Sequence, residues 1–138
     1  MHEHDESSLP EAFWGVARQL RHLTKDALAP WQVSPSQARA LGVLGKEDAL
    51  RLNVLAEQLR IAPRSVTEVV DDLEARGLVE RRADPADRRA TLVALTGPGR
   101  ETVAAIGAAR RAEADRFFGT LSPADRAHLI RILKQLAT

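Results

Sequence analysis

Along most of this chain apolar residues recur every three or four positions, the period of a helix buried on one face. Between Glu11 and Ala29 the stripe is Phe13, Val16, Ala17, Leu20, Thr24 and Ala27, and Pro30 is placed to stop the helix. Ser34-Pro35-Ser36-Gln37 predicts the start of a second helix. There Ser34 can cap, Pro35 suits the first helical position, and Gln37 can complete a capping box. This helix should end near Gly45. After a short linker from Lys46 to Leu52, Asn53 is the expected cap of a third helix carrying Val54, Leu55, Ala56 and Leu59. A fourth helix runs from Pro63 to Gly77, which suits a left-handed position just past the last turn. Its Val66, Val69, Val70 and Leu73 form one face packing on the third helix, with a tight connection at Ile61 and Ala62, so the pair reads as a helix-turn-helix. The opposite face carries Arg64, Glu68, Asp71 and Ala75, with Ser65 and Thr67 on its shoulders.

The pattern then changes. Two β-tolerant runs, Leu78 to Arg82 and Thr91 to Leu95, flank a turn-forming cluster with Asp84, Pro85 and Asp87, which predicts a hairpin. Thr91, Val93 and Leu95 fall on one face of its second strand and Ala90, Leu92 and Ala94 on the other, so either face is apolar enough to be the buried one. The tip has no apolar residue to bury, which leaves Arg88 and Arg89 free to meet phosphates or a narrow minor groove. Asp84 and Asp87 are near enough in sequence to hold one of these arginines in place. An ordinary solvated turn with paired surface charges is an equal alternative for the tip alone. Helical spacing returns from about Pro98 to Phe118, with Thr96 as cap and Val103, Ile106, Ala114 and Phe117 facing inward. A last helix starts at Ser122-Pro123 and carries Leu129, Ile132, Leu133 and Leu136. The fold class is therefore mainly α with a small β-hairpin. The terminal helices carry more apolar stripe than a small winged helix needs, which predicts a symmetric homodimer, the alternative being that they cover the chain's own core.

Composition narrows the picture. With 138 residues, 44% of them hydrophobic, the chain is one domain in size and can build a core. Its formal net charge is only +1, so any basic surface must come from local segregation. Between Arg60 and Arg89, arginines at 60, 64, 76, 81, 82, 88 and 89 are matched by acids at 68, 71, 72, 74, 80, 84 and 87; only geometry can separate the signs. The absence of cysteine excludes disulfides, thiolate metal sites and thiol-based redox sensing. The acidic start, with no signal peptide or membrane span, points to a cytoplasmic protein. His2 and His4 read as part of a solvated tail; His22 and His128 are isolated, so no metal site is expected. No nucleophile elbow, phosphate-binding glycine loop or metalloprotease motif occurs, so neither catalysis nor a cofactor is expected.

Together these elements resemble the multiple antibiotic resistance regulator (MarR) family of winged-helix transcription factors. Asp87-Arg88-Arg89 followed by Leu95-Thr96 fits the family's Asp-x-Arg-x5-Leu-Thr wing signature. Leu55-Ala56, Val66-Thr67 and the Leu73-Glu74-x-x-Gly77-Leu78-Val79 run leading to Arg81 stand in the family's order and spacing. The resemblance implies one MarR-like domain over 1–138: a tail at 1–10, dimerisation helices at 11–29 and 98–138, and a winged helix-turn-helix at 34–96. It implies a homodimeric regulator, more in keeping with a repressor than an activator, on double-stranded DNA with a pseudo-palindromic operator. The two recognition helices would lie about 34 Å apart in successive major grooves. Arg89 would reach the minor groove with Asp87 orienting it, Arg88 would meet a phosphate, and Arg64, Ser65 and Thr67 would contact phosphates or base edges.

Two positions depart from the family pattern. Glu68 stands where a basic residue is frequent, and has two readings: an intrahelical pair with Arg64, which is the favoured one, or acceptance from a cytosine amino group. Ala62 stands where a polar cap belongs, leaving a backbone N–H for phosphate or water. The resemblance also implies release by a small aromatic, phenolic or anionic effector. Trp14, Arg18 and His22, four residues apart, and Trp31 offer an aromatic wall, a cation and an imidazole for it. The favoured reading is plainer: Trp14 as interface packing and Arg18 as a surface ion-pair partner. A functional alternative is a winged helix used for protein interaction with little DNA affinity, which the neutral segment and Glu68 favour.

Overall fold

The computed structural model describes residues 8–138 as two units: Leu28–Ala108, and residues 8–27 together with Ala109–Thr138. Helix α1 (Leu9–Asp26) and α6 (Pro123–Ala137) belong to the second unit. The first contains α2 (Pro35–Gly45), β1 (Leu50–Arg51), α3 (Leu52–Leu59), α4 (Pro63–Ala75), β2 (Val79–Ala83) and β3 (Thr91–Leu95). Helix α5 (Gly97–Phe118) begins in the first and ends in the second. The tail expected at 1–10 lies outside the described residues as far as residue 7, His2 and His4 included, whereas Leu9 and Pro10 already belong to α1.

Local chemistry fixes several boundaries where the sequence placed them. The Ser34 hydroxyl accepts from the Gln37 N–H at 3.1 Å, and Gln37 Oε1 accepts from the Ser34 N–H at 2.8 Å, a closed capping box. Helix α4 starts at Pro63, and Gly77 follows it at φ 75°, the left-handed conformation that glycine adopts without a Cβ clash. Thr96 Oγ1 accepts from the Gly99 N–H at 3.0 Å to cap α5, and Ser122 Oγ accepts from Asp125 N–H at 3.1 Å to cap α6.

Other boundaries moved. Helix α1 ends at Asp26, before Pro30, which instead sits in a 3₁₀ turn over Ala29–Trp31. Asn53 does not cap α3. The helix starts at Leu52, two residues earlier than that cap implies, and Arg51 takes the cap position, its backbone held extended because Leu50 and Arg51 form a strand. That strand completes an antiparallel sheet of order β1-β3-β2, with Leu50 opposite Val93 and Arg51 opposite Leu92. Two residues are too few to show a period, and the partner that makes them a strand lies about forty positions away in the chain. Arg60 closes α3 in the left-handed conformation at φ 55°, with no glycine to announce it.

The core lies wholly in the first unit. Leu41, Leu44, Leu55, Leu59, Val66, Val70, Leu73, Val79 and Val93 are fully enclosed, so α2, α3, α4 and the sheet share one apolar centre. Burial on β3 settles the open question of its faces: Val93 and Leu95 join this core, and Ala94 is buried too. In the second unit no described residue is fully buried, and it carries every large apolar side chain exposed among the described residues: Leu9, Phe13, Trp14 and Val16 on α1, and Ile130, Ile132, Leu133 and Leu136 on α6.

Candidate nucleic-acid interface

The α3–α4 pair presents the first half of α4 to solvent. Ala62 occupies the cap position without a side-chain bond, as its lack of an oxygen dictates, and Arg64, Ser65, Thr67 and Glu68 are all exposed while Val66 and Val70 anchor the opposite face. The Thr67 hydroxyl donates to the Pro63 carbonyl at 3.1 Å, so in this rotamer Thr67 offers an approaching group an acceptor rather than a donor. No ion pair joins Arg64 to Glu68, against the favoured expectation of an intrahelical pair; both side chains stand unpaired on the exposed face.

Geometry does separate the signs. Arg76 Nε pairs with Asp72 at 3.1 Å while its Nη1 donates to the Trp31 carbonyl at 3.1 Å. Arg81 donates to Asp71 at 2.6 Å and to Glu74 at 2.5 Å, tying β2 to α4. Partial desolvation works against the Arg81 charge, but the hydrogen bonds to Asp71 and Glu74 outweigh it and raise the guanidinium above its ordinary value. Arg82 pairs with Glu80. Asp71, Asp72, Glu74 and Glu80 are therefore spent on arginines at the helix–wing junction. Arg60, Arg64, Arg88 and Arg89 keep no ion-pair partner among the described residues, and all four are exposed. Arg60, beside the helix-turn-helix connection, was not singled out from the sequence, since only the pairing of its neighbours distinguishes it.

Within the hairpin, Val79 stands opposite Leu95 and Ala83 opposite Thr91, leaving residues 84–90 as the tip. Asp84 does not hold Arg88 or Arg89, contrary to one expectation. It turns inward and accepts from Arg51, Nε at 2.8 Å and Nη2 at 2.7 Å, while its other oxygen accepts the Ala86 N–H at 2.9 Å. Asp87 Oδ1 accepts the backbone N–H of Arg89 at 3.0 Å, so it orders that residue's main chain and no bond from it reaches the guanidinium.

The hydrogen bond from Ala86 and then that from Arg51 hold the Asp84 carboxyl below the ordinary carboxylate range. Because the folded value lies below the unfolded one, the contribution of Asp84 to stability is complete above the unfolded value and disappears as pH falls through the folded one. Asp84→Asn is therefore expected to melt below the wild type at neutral pH, with the gap closing in acid. Thermal melts of both proteins across that range check it; coincident melts at neutral pH would remove Asp84 from any stabilising role.

Of the four residues considered for an effector, three share one helix of the second unit and the fourth lies in the first. Trp14, Arg18 and His22 share α1, where Trp14 stacks edge-on against Phe13 at 5.6 Å and His22 lies 3.5 Å from Asp26. A shallow hollow of about 200 Å³ there is lined by Arg18, Arg21, His22 and Lys25, not by Trp14. Trp31 belongs to the other unit, packs on its core and lends its carbonyl to Arg76, because the chain leaves the helical path before reaching it.

Comparison with known proteins gives a consistent result. The model of the MarR family matches residues 31–90, which span the helix-turn-helix and most of the wing. An HTH-type transcriptional regulator of Mycobacterium leprae is 38% identical over 105 residues, 76% of this chain and 71% of that protein. A transcriptional regulatory protein for the hcr operon of Thauera aromatica is 34% identical over 104 residues; these are 75% of this chain but 63%, less than two thirds, of that protein. Among solved structures, RV1404 of Mycobacterium tuberculosis superposes with a TM-score of 0.85 at 28% identity, over 95% of this chain and 91% of that one.

Proposed function

This chain belongs to the MarR family of transcription regulators, and from that premise we propose that it is a homodimeric repressor of its target genes. It sets two α4 helices in successive major grooves of a pseudo-palindromic operator, with the wings alongside. Arg64, Ser65, Thr67 and Glu68 face the groove, Thr67 and Glu68 as acceptors for base amino groups, and Arg88 and Arg89 meet phosphate and minor groove. The observation that carries this reading is the sorting of charge: five of the seven acids that make the segment neutral, Asp71, Asp72, Glu74, Glu80 and Asp84, are bound to Arg51, Arg76, Arg81 and Arg82, whereas Arg60, Arg64, Arg88 and Arg89 keep no ion-pair partner among the described residues. The exposed apolar residues of α1 and α6 support the homodimer, since apolar side chains in such number are stable when covered by a second copy. A small anionic effector, aromatic or phenolic, releases the DNA; Arg18 and His22 in the basic hollow on α1 are its candidate contacts.

Selection of bound sites from random DNA is the direct test. The expected outcome is an inverted repeat with half-sites about one helical turn apart, bound by a species that sediments as a dimer, with affinity falling steeply as salt rises. Recovery of no enriched motif, or a salt-insensitive interaction, favours the protein-interaction reading instead.

A further inference from the structure

Nothing in the sequence marks Arg51, which lies between a linker and a helix; the sheet gives it a place. Its backbone is fixed in β1 opposite Leu92, and from there its side chain crosses to Asp84 at the base of the wing tip. Both Nε and Nη2 donate to one carboxylate oxygen, at 2.8 and 2.7 Å, which leaves the other to accept the Ala86 N–H. Asp84 is also where the tip closes on itself: its N–H donates to the Ala90 carbonyl at 3.1 Å, and its carbonyl accepts from Asp87 N–H at 3.2 Å. Asp87 in turn accepts from Ala90 N–H through its carbonyl at 2.9 Å and from Arg89 N–H through its side chain. Residues 85–89 are all exposed, so no apolar packing holds the tip and its shape depends on these polar bonds.

We propose that Arg51 is a positioning residue for DNA binding: by holding Asp84, its guanidinium fixes the tip in the shape that presents Arg88 and Arg89. The inference rests on the DNA-binding reading above. Its physical content is preorganisation, because a tip already ordered in the free protein does not spend interaction energy on ordering when it meets DNA. Arg51 is itself partly exposed, 42% for its side chain, so direct contact with a phosphate is the competing role, and the two differ in salt dependence.

The test uses the full chain and a selected operator. Arg51→Gln is expected to bind about tenfold more weakly with an unchanged salt slope, and adding Asp84→Asn to it should cause no further loss. In the free protein the amide protons of Ala86 and Ala90 should exchange faster than in the wild type. Arg51→Lys, which keeps a charge and one bond to Asp84, should fall between the two and guards against a glutamine variant that fails to fold. Unchanged affinity together with unchanged exchange overturns the proposal. So does a loss of affinity accompanied by a slope shallower by about one per protomer, which marks Arg51 as a phosphate contact. If the wild type shows no salt-sensitive DNA binding, the functional reading fails, while exchange at Ala86 and Ala90 still decides whether Arg51 orders the tip.

Discussion

Arg89→Ala is expected to lower operator affinity about tenfold per wing, hence about a hundredfold for a symmetric dimer, and to flatten the salt dependence by about one unit per wing. Two features of the structure put the effect there. Arg89 is exposed with no carboxylate bound to its guanidinium, so its full charge is available, and Asp87 fixes its main chain at the tip. Arg82 is the internal control. Its side chain is half exposed but paired with Glu80 on the same strand, so Arg82→Ala should change affinity by less than about threefold. Titrations of both variants at several salt concentrations separate them. Equal losses would mean that the ion pairs at the helix–wing junction do not partition the charge as described. Arg89→Lys refines the result: it keeps the slope, but loses the planar fork and with it part of the affinity gained in the minor groove.

Gly99→Ala is expected to destabilise the protein by about 3 kcal/mol, which lowers the melting temperature by roughly 10 °C. Helix propensity alone predicts the opposite sign, because alanine is favoured over glycine in a helix by about 1 kcal/mol. The surroundings decide. Gly99 lies in the first turn of α5 where it crosses the chain between α4 and β2, and an added Cβ would penetrate the Leu78 carbonyl oxygen and stand 3.3 Å from Leu95 Cδ2. Leu78 cannot retreat, since its carbonyl accepts from Thr96 N–H at 3.1 Å and its N–H donates to Leu73 at 3.0 Å. Gly42, in α2, has no atom within 4 Å of a built Cβ, so Gly42→Ala should stabilise by roughly 0.5–1 kcal/mol. Thermal melts of the two variants should move in opposite directions; a Gly99→Ala protein as stable as the wild type would mean that this crossing is not close-packed.

Family membership and winged-helix architecture are both legible in the sequence. The wing signature from Asp87 to Thr96 and the run from Leu73 to Val79 carried the family, and Ser34, Pro63, Gly77, Thr96 and Ser122 carried most of the helix ends. These signals are local. A hydroxyl caps a helix three residues away, and a glycine permits a positive φ wherever it stands. The errors cluster where the deciding partner is distant. Strand β1 exists because β3 lies beside it, and the same pairing puts the cap of α3 at Arg51 rather than Asn53. Asp84 has arginines close by in the sequence, whereas its partner, Arg51, lies 33 residues away.

What the sequence by itself determined is therefore the helical periods, most of the caps and turns, the hairpin, the family, and the exposed positions Arg64, Ser65, Thr67, Glu68, Arg88 and Arg89 on their elements. What only the tertiary structure decided is which charges remain available. A segment with seven arginines and seven acids is neutral in any linear count, and Coulomb attraction pairs those that folding brings within a few ångströms, whatever their separation in the chain. Packing β2 against α4 and β1 against β3 brings Arg81 to Asp71 and Glu74, and Arg51 to Asp84. With Arg76 and Arg82 paired as well, these bonds consume Asp71, Asp72, Glu74, Glu80 and Asp84, and they leave Arg60, Arg64, Arg88 and Arg89 unpaired against only Glu68 and Asp87, a positive excess that composition did not show.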